Sequence, residues 1–298
     1  MDSKEIQSLN DSGFFPGPNE SEEGFLNRVK AMKSWSQTLE NKDLELQDLP
    51  YTLQHSERMS DSQLIESGEP IKTKFGILPS WVPAYFTDKG LPLLTGGMAI
   101  QFVEEENGPL KTFFQLKSVF RTQKKWIIYS GDELIRHEMC HVARAPLNST
   151  RYEETFAYST SDSWLRRKIG GALNTPFDNQ LVLLSLLCWM CASFLPLFFE
   201  SVQSWNFVLY IPFPLVITLG LIRNFNLRNE LHRANLNLKA NFPKDYEKLL
   251  FRLSDDEIRQ ISHFTSSEVC SWWDNLNSFR GKFLKSVFFI TNRPKSGT

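Results

Sequence analysis

Cysteine is scarce in this chain of 298 residues, and neither sign of charge is in excess. Its 4 Cys offer no short-range disulfide framework, which favours a reducing compartment over secretion. Because 33 Lys and Arg are balanced by 34 Asp and Glu, a polybasic nucleic-acid binder is excluded, and we expect no nucleic-acid partner. Apolar residues make up 41% of the chain, which excludes a disordered polymer and allows one large domain or two small ones.

An export signal is also lacking at the N-terminus. Residues Met1 to Asn10 are polar and charged, and they contain no apolar stretch of the kind that a secretory signal needs. We therefore expect everything that precedes the first long apolar run, which starts at Asn179, to stay in the cytoplasm.

Two long apolar runs stand out against this background. Neither Asn179 to Phe199 nor Ser201 to Ile222 contains a charged residue. A helix needs roughly 20 apolar residues to cross a bilayer, so we predict a two-helix transmembrane hairpin over 179–222 with a turn near Glu200 to Ser204. Two alternatives stay open, a hairpin buried in a soluble core and a wedge that lies in one leaflet.

Basic residues flank this hairpin on both sides, whereas the turn has none. Because positive residues stay on the cytoplasmic side, the pattern predicts an integral membrane protein with two spans and with both termini in the cytoplasm. The flanking residues are Arg166, Arg167 and Lys168 before the hairpin and Arg223, Arg228, Arg233 and Lys239 after it.

The remaining sequence predicts an α+β fold that is mostly helical. Short runs rich in aromatic and branched residues, Phe113 to Phe120 and Trp126 to Tyr129, indicate a small sheet. The residues from Ser254 to Glu257 form a capping box for a further helix. The basic and aromatic segment Phe279 to Phe289 fits either an anionic membrane surface or an ordinary packing helix. We divide the chain into an N-terminal helical and linker region (1–74), a central domain (75–175), the hairpin (179–222) and a cytoplasmic helical C-terminal region (223–298).

The most informative pattern lies at His137, Glu138, Met139, Cys140 and His141, an H-E-x-x-H motif that contains two of the five His. On a helix, positions i and i+4 share a face, so both imidazoles can converge on one metal ion. Glu138 can then reach a metal-activated water as the general base. The alternative is an ordinary helix with two unrelated His. Cys140 points to another face of the helix and is predicted to pack.

The surroundings of the motif fit a helix. Trp126 to Tyr129 predicts a strand, and the four residues from Ser130 to Glu133 form a capping box that would start the helix. Pro146 would end the helix one turn after His141.

A catalytic zinc ion needs a third protein ligand and leaves its fourth position to water. The four residues from Thr150 to Glu153 form a second capping box, in which the side chain of Glu153 folds back on the cap. Glu154 is then free to point elsewhere, so we prefer Glu154 over Glu153 as the third ligand. Both residues equally fit an acidic first turn that complements the helix dipole.

This stretch resembles the gluzincin type of zinc metallopeptidase, in which H-E-x-x-H lies on one helix and a ligand Glu on the next. Glu154 to Ala157 also resembles the E-x-x-A portion of second-helix motifs in membrane-associated families. The resemblance covers about 30 of the 298 residues. It implies a zincin-like helix pair with a small sheet, Zn²⁺ held by His137, His141 and Glu154, Glu138 as the base and peptide bonds as the substrate.

Two departures from those families bear on the site. Tyr158 stands where they usually have an acidic or amide residue, and the gap between His141 and Glu154 is short. Asp162 is therefore an alternative source of a supporting carboxylate.

The sequence thus predicts a membrane-anchored zinc-dependent metallopeptidase of peptides or proteins, with its site on the cytoplasmic side of a lipid bilayer. The alternative is a non-enzymatic integral membrane protein whose hairpin anchors or shapes the membrane and whose soluble region binds a partner. Four side chains are candidates to stabilise an oxyanion: Tyr158, Tyr152, Arg144 and His232.

Overall fold

A small mixed sheet lies against the helix that carries the motif. The computed structural model describes residues 1–46, 50–93, 95–103, 108–173, 176–199 and 206–289. Strand β1 (Ala84–Phe86) runs parallel to β3 (Lys111–Leu116), and β2 (Gly97–Phe102) runs antiparallel to it. The order β1-β3-β2 places β2 at one edge. A second ladder, β4 (Lys125–Trp126) with β5 (Tyr129–Ser130), is a tight hairpin where the sequence predicted one strand.

Helices make up most of the molecule, which confirms the expectation of a mostly helical fold with a small sheet. Within the described residues they are α1 (Ser3–Asp11), α2 (Glu22–Thr38), α3 (Asp61–Phe75), α4 (Gly131–Arg144), α5 (Glu153–Tyr158), α6 (Trp164–Ile169), α7 (Pro176–Phe194), α8 (Pro212–Asn241), α9 (Tyr246–Phe251), α10 (Asp255–His263), α11 (Ser266–Asp274) and α12 (Phe279–Val287).

One buried apolar cluster joins the regions that the sequence treats separately. It includes Phe14 and Phe75 from 1–75, Met139 from the motif helix, and Phe251 and Phe283 from the C-terminal region. The rings of Phe75 and Phe251, for example, stack with centroids 4.2 Å apart. The boundaries at 74 and 175 therefore do not separate hydrophobic cores.

Two predictions for the C-terminal region can be compared with the hydrogen bonds and burial that the structure shows. Ser254 accepts a hydrogen bond from the backbone of Glu257, whose side chain accepts one in return from the backbone of Ser254, so the predicted capping box at the start of α10 is confirmed. In α12, Phe283 is buried in the core. The segment Phe279 to Phe289 thus contains an ordinary packing helix, which is one of the two interpretations of its sequence; the other is contact with an anionic membrane surface.

Prolines set the limits of the apolar helices. Helix α7 ends at Phe194 and passes into a 3-10 turn at Leu195–Leu197, and α8 begins at Pro212. Proline suits the first turn of a helix because its missing N–H would be unpaired there. The α-helix of the second apolar run therefore starts at Pro212, after a 3-10 turn at Asn206–Tyr210, rather than directly after the predicted turn. The predicted turn at Glu200 to Ser204 lies outside the described residues.

One helical stretch, Phe207–Asn241, is long and apolar enough to cross a membrane, whereas the apolar part of α7, Gln180–Phe194, is shorter. Only 11% of the most apolar window of the long stretch is buried within the molecule. Exposed leucines such as Leu183 and Leu187 line α7 as well. Within the described residues, these apolar helices are therefore not buried in the core of this chain.

An ion pair joins the two apolar helices at one end. Arg223 of α8 donates to both carboxylate oxygens of Asp178 at the start of α7, at 2.6 and 3.1 Å, and also to the carbonyl of Ala172. Gly220 lies so close to the linker before α7 that a Cβ there would be 2.9 Å from the Ala172 oxygen. From this level α8 continues into the folded body, where Ala234 and Leu238 are buried.

Candidate metal centre

The motif lies on α4, as its spacing predicts. His137 and His141 project from one face of the helix, and their Nε2 atoms are 3.1 Å apart. The helix ends at Arg144, and a 3-10 turn at Ala145–Leu147 follows, so the predicted stop at Pro146 is confirmed.

The predicted capping box at the start of α4 is wrong. Ser130 occupies the N-cap position but makes no side-chain cap hydrogen bond. Glu133 instead accepts a hydrogen bond from Ser161 and pairs with Arg166 at 3.2 Å. A buried carboxylate gains more from a guanidinium than from one backbone N–H, so this distant pair replaces the local cap.

A sharp reversal after α4 brings the next helix back onto it. Asn148 adopts a left-handed conformation, with a φ of 48°, and α5 then begins at Glu153. This turn places Glu154 opposite the two imidazoles. One of its oxygens, Oε2, is 3.4 Å from His137 Nε2, and the other, Oε1, is 3.4 Å from His141 Nε2.

These three side chains fit one divalent ion. Ligand atoms about 2.0–2.1 Å from a tetrahedral zinc lie about 3.3 Å from one another. The two Nε2 atoms are 3.1 Å apart, close to that spacing, and each lies 3.4 Å from a different oxygen of Glu154. His137, His141 and Glu154 each offer one ligand atom, and all of these atoms lie within 4.8 Å of one another. The donor set, two imidazoles and a carboxylate, is one that zinc accepts and that leaves a fourth position open.

Glu153 has a different environment from its neighbour. Its Oε2 is 3.4 Å from Nδ1 of His141, on the far side of that ring from Glu154, and its Oε1 accepts a hydrogen bond of 2.7 Å from Arg144. The N-cap of α5 is Tyr152, without a side-chain cap hydrogen bond. The predicted capping box from Thr150 to Glu153 is therefore wrong, and Glu153 contacts the outer nitrogen of a candidate ligand.

Arg144 explains why Glu153 is held in this way. Its guanidinium is fully buried between the rings of Phe156 and Phe251, and it donates to the carbonyl oxygens of Phe251 and Leu253. The sequence suggested Arg144 as an oxyanion donor, but these partners occupy its hydrogen-bonding groups. Its role is to fix Glu153, and no local pattern in the sequence indicates it.

Glu138 lies on the sheet side of α4 and is buried. A Cβ on Gly97 of β2 would be 3.2 Å from its Oε1, so the strand passes close over the carboxylate. Burial raises the pKa of Glu138, although the nearby His137 and His141 oppose that shift and the backbone of Ala99 also lowers it through a hydrogen bond. A desolvated carboxylate of this kind is well suited to accept a proton.

The candidate ligands stabilise each other's charge. Burial alone would lower the pKa of His141, but hydrogen bonds with Glu153 and Glu154 raise it well above its usual range. Burial acts in the opposite sense on Glu154, whose contacts with His137 and His141 nevertheless bring its pKa far below the usual range. Zinc needs neutral imidazole, so its binding here would displace the His141 proton.

Of the other candidate side chains, Tyr158 is the one with a described contact to a ligand, since its ring lies edge-on to that of His137 with centroids 4.6 Å apart. Tyr152 is buried beside Arg151 and Glu230. His232 is exposed on α8. Asp162 pairs with Arg136 at 2.6 Å rather than with a ligand His.

The candidate metal site lies next to the linker that leads to the apolar helices. Gly171 in this linker has a φ of 83°, and a Cβ there would be 3.0 Å from Cβ of Glu154. The linker thus packs directly on the helix that carries the third ligand. A cavity of about 780 Å³ lies elsewhere, beyond the C-terminal end of α4, and none of the four predicted site residues lines it.

The structure therefore brings an H-E-x-x-H motif on one helix and a carboxylate on the next together as a group that could hold a metal ion. Comparison of the chain with protein-family models, with curated proteins and with solved structures found no match.

Proposed function

We propose that the chain is a membrane-anchored, zinc-dependent metallopeptidase that hydrolyses peptide bonds on the cytoplasmic side of a membrane. The observation that carries this proposal is the convergence of one ligand atom each from His137, His141 and Glu154 to within 4.8 Å of one another, beside the buried carboxylate of Glu138. A non-enzymatic anchor has no need of that convergence. The test is cleavage of a mixed peptide library by the purified full chain, read by mass spectrometry with zinc and with a chelator. Absence of cleavage under both conditions would favour the anchor.

The roles of the side chains follow from their positions. When bound by these three ligands, zinc supplies a Lewis acid that lowers the pKa of water and polarises a carbonyl group. The carboxylate of Glu138 accepts a proton from the attacking water and returns it to the leaving amide nitrogen. Glu153 holds the ring of His141 through Nδ1. Tyr158, whose ring lies beside that of His137, is the candidate to donate a hydrogen bond to the reacting group.

The edge of β2 that does not pair with β3 offers a way to hold the substrate beside Ala99, whose backbone N–H already donates to Glu138. In the described part of the chain, β2 pairs with β3 on one side only. An extended peptide can add to such an edge through backbone hydrogen bonds. Because β2 passes over Glu138, a peptide bound there would present its backbone to the metal centre.

Substitution of Glu153 and of Glu154 in turn distinguishes the proposed metal ligand from the residue that supports a ligand. Glu153→Gln is expected to weaken zinc binding about 10–100-fold, because loss of a carboxylate behind a ligand His typically has that effect. Glu154→Gln should weaken it more, since it alters a ligand itself. Competition with a chelator of known zinc affinity measures both. If Glu153→Gln gave the larger loss, the assignment of the third ligand would have to be exchanged.

We also propose that the apolar helices form a two-span hairpin with both termini and the metal centre on the cytoplasmic side. The Asp178–Arg223 pair closes one end of the helix pair, and basic residues lie on that side only. An epitope inserted after residue 203 should be accessible from the side opposite to an N-terminal tag in sealed vesicles. Access to both epitopes from the same side would indicate a wedge in one leaflet instead.

A further inference from the structure

Five large apolar side chains that lie outside the apolar helices α7 and α8 are exposed on elements next to the candidate metal site. They lie at the tip of the β4–β5 hairpin and on α6, and we call them the interfacial patch: Ile127, Ile128, Trp164, Leu165 and Ile169. Ile127 is 67% exposed, and Ile128 and Trp164 are each 65% exposed. Exposed apolar patches bordered by polar groups are typical of interaction surfaces.

The two parts of the interfacial patch form one surface. Arg166 of α6 donates a hydrogen bond of 2.6 Å to the carbonyl of Ile128 at the hairpin tip, and it also pairs with Glu133 of α4. The hairpin tip is thus fixed to α6, and both are fixed to the helix that carries the motif.

At the tip of the β4–β5 hairpin, an isoleucine occupies a backbone conformation that is unfavourable for it. Ile127 has a φ of 54°, in the left-handed region that a β-branched residue rarely adopts. Glycine, asparagine or aspartate is favoured at such a turn position. An unfavourable backbone conformation at an exposed apolar residue is explained if that side chain is covered by an apolar partner in the working protein.

The interfacial patch lies at the level where the apolar helices leave the folded body. The end of α6 is docked on α8, since the carbonyl of Lys168 accepts a hydrogen bond from Asn224, and the carbonyl of Gly170 accepts one from Arg228. Both donors follow the uncharged run of α8 within two turns. The end of α6 that carries Ile169 is therefore fixed to α8 just beyond its uncharged run.

The charge beside the interfacial patch fits anionic headgroups. Arg167 and Lys168 follow one another on α6 and are both exposed, whereas Arg166 before them is paired with Glu133. A short helix with apolar side chains and a basic cluster is suited to lie in the headgroup region of an anionic bilayer.

We propose that the interfacial patch inserts into the headgroup region of an anionic membrane beside the hairpin and holds the metal centre at the bilayer surface. If the proposed function is correct, the substrates are peptide segments that lie at this surface, such as the juxtamembrane parts of membrane proteins. The docking itself does not depend on catalysis.

A fluorophore attached at residue 128 tests this proposal. The full chain with Cys188→Ala, Cys191→Ala, Cys270→Ser and Ile128→Cys is labelled and placed in nanodiscs of phosphatidylserine and phosphatidylcholine. The buried Cys140 remains unlabelled. The matched control is Leu236→Cys in the same background, an exposed α8 position about 20 Å beyond Arg223 along the helix.

We expect headgroup-level nitroxide lipids to quench the label at residue 128 and not at residue 236, and aqueous iodide to quench in the opposite order. Lys168→Glu should reduce lipid quenching at residue 128 in the anionic discs but leave it unchanged in phosphatidylcholine discs. Iodide quenching at residue 128 equal to that at residue 236 would overturn the proposal. Protection from both quenchers would also overturn it, because a protein would then cover the patch. These readouts need neither zinc nor turnover, so a failure here is distinct from a failure of the proposed function.

Discussion

Glu138→Gln is expected to lower the rate of peptide hydrolysis about 10²–10⁴-fold while zinc stays bound, because a positioned general base contributes about that factor. Glutamine has the shape of the neutral acid but cannot accept the proton. Burial already raises the pKa of Glu138, so the neutral substitute should be tolerated in its surroundings without loss of the fold. Peptide cleavage by mass spectrometry, together with elemental analysis for zinc, measures both halves of this prediction.

The matched control is Glu69→Gln, which alters a half-exposed carboxylate on α3 whose described partner is Lys72 at 3.3 Å. It should leave hydrolysis unchanged. If Glu138→Gln were as active as the wild type, Glu138 would not be the base. If it were inactive but also free of zinc, the loss would have to be assigned to the site's structure.

His137→Ala is expected to reduce zinc from about one ion per chain to almost none, since two remaining ligands do not retain a catalytic zinc. Zinc at 100 times its dissociation constant should stabilise the wild type by about 2.7 kcal/mol, because it binds the folded form. The variant should show no such stabilisation. Elemental analysis and thermal unfolding with and without zinc measure these effects.

His232→Ala is the control for this substitution, because His232 is exposed on α8 and belongs to no described cluster of candidate ligands. It should bind zinc and gain stability as the wild type does. Equal zinc contents of the wild type and His137→Ala would remove the metal centre and with it the proposed reaction.

Local patterns in the sequence predicted the parts of the site that depend on local geometry. The i, i+4 spacing of His137 and His141 places both rings on one face of any α-helix, and Pro146 ends that helix wherever it packs. The approach of Glu154 to the two rings depends instead on the left-handed turn at Asn148, which sequence spacing alone does not specify.

The capping boxes show where local reasoning reaches its limit. The box at Ser254 forms, whereas the boxes at Ser130 and Thr150 do not, although all three have the same pattern. The difference lies in distant partners, because Arg166 and Arg144 bind the glutamates that would have capped those helices. The preference for Glu154 over Glu153 thus relied on a cap that is absent.

Tertiary packing also determines that a helix forms in stretches whose sequence pattern gives little indication of one. The polar stretch from residue 54 to 74 contains all but the last residue of α3, whose Leu64, Ile71 and Phe75 are buried. Gly68 allows this helix to approach the motif helix, since a Cβ there would be 3.3 Å from the sulfur of Met139. Hydropathy likewise found the apolar runs, but it did not indicate that α8 continues without a break into the core.

The close contact between Ala172 and Gly220 means that the polypeptide returns to the place from which it left. Helix α7 and the first part of α8 therefore form an insertion that leaves the folded body and returns to it at nearly the same point. A variant in which a short designed turn connects Ala172 to Gly220 would retain α4, α5 and the part of α8 that follows Gly220 in their present arrangement. Such a variant offers a route to crystals, and to calorimetry in plain buffer, for the folded body that contains the candidate metal site.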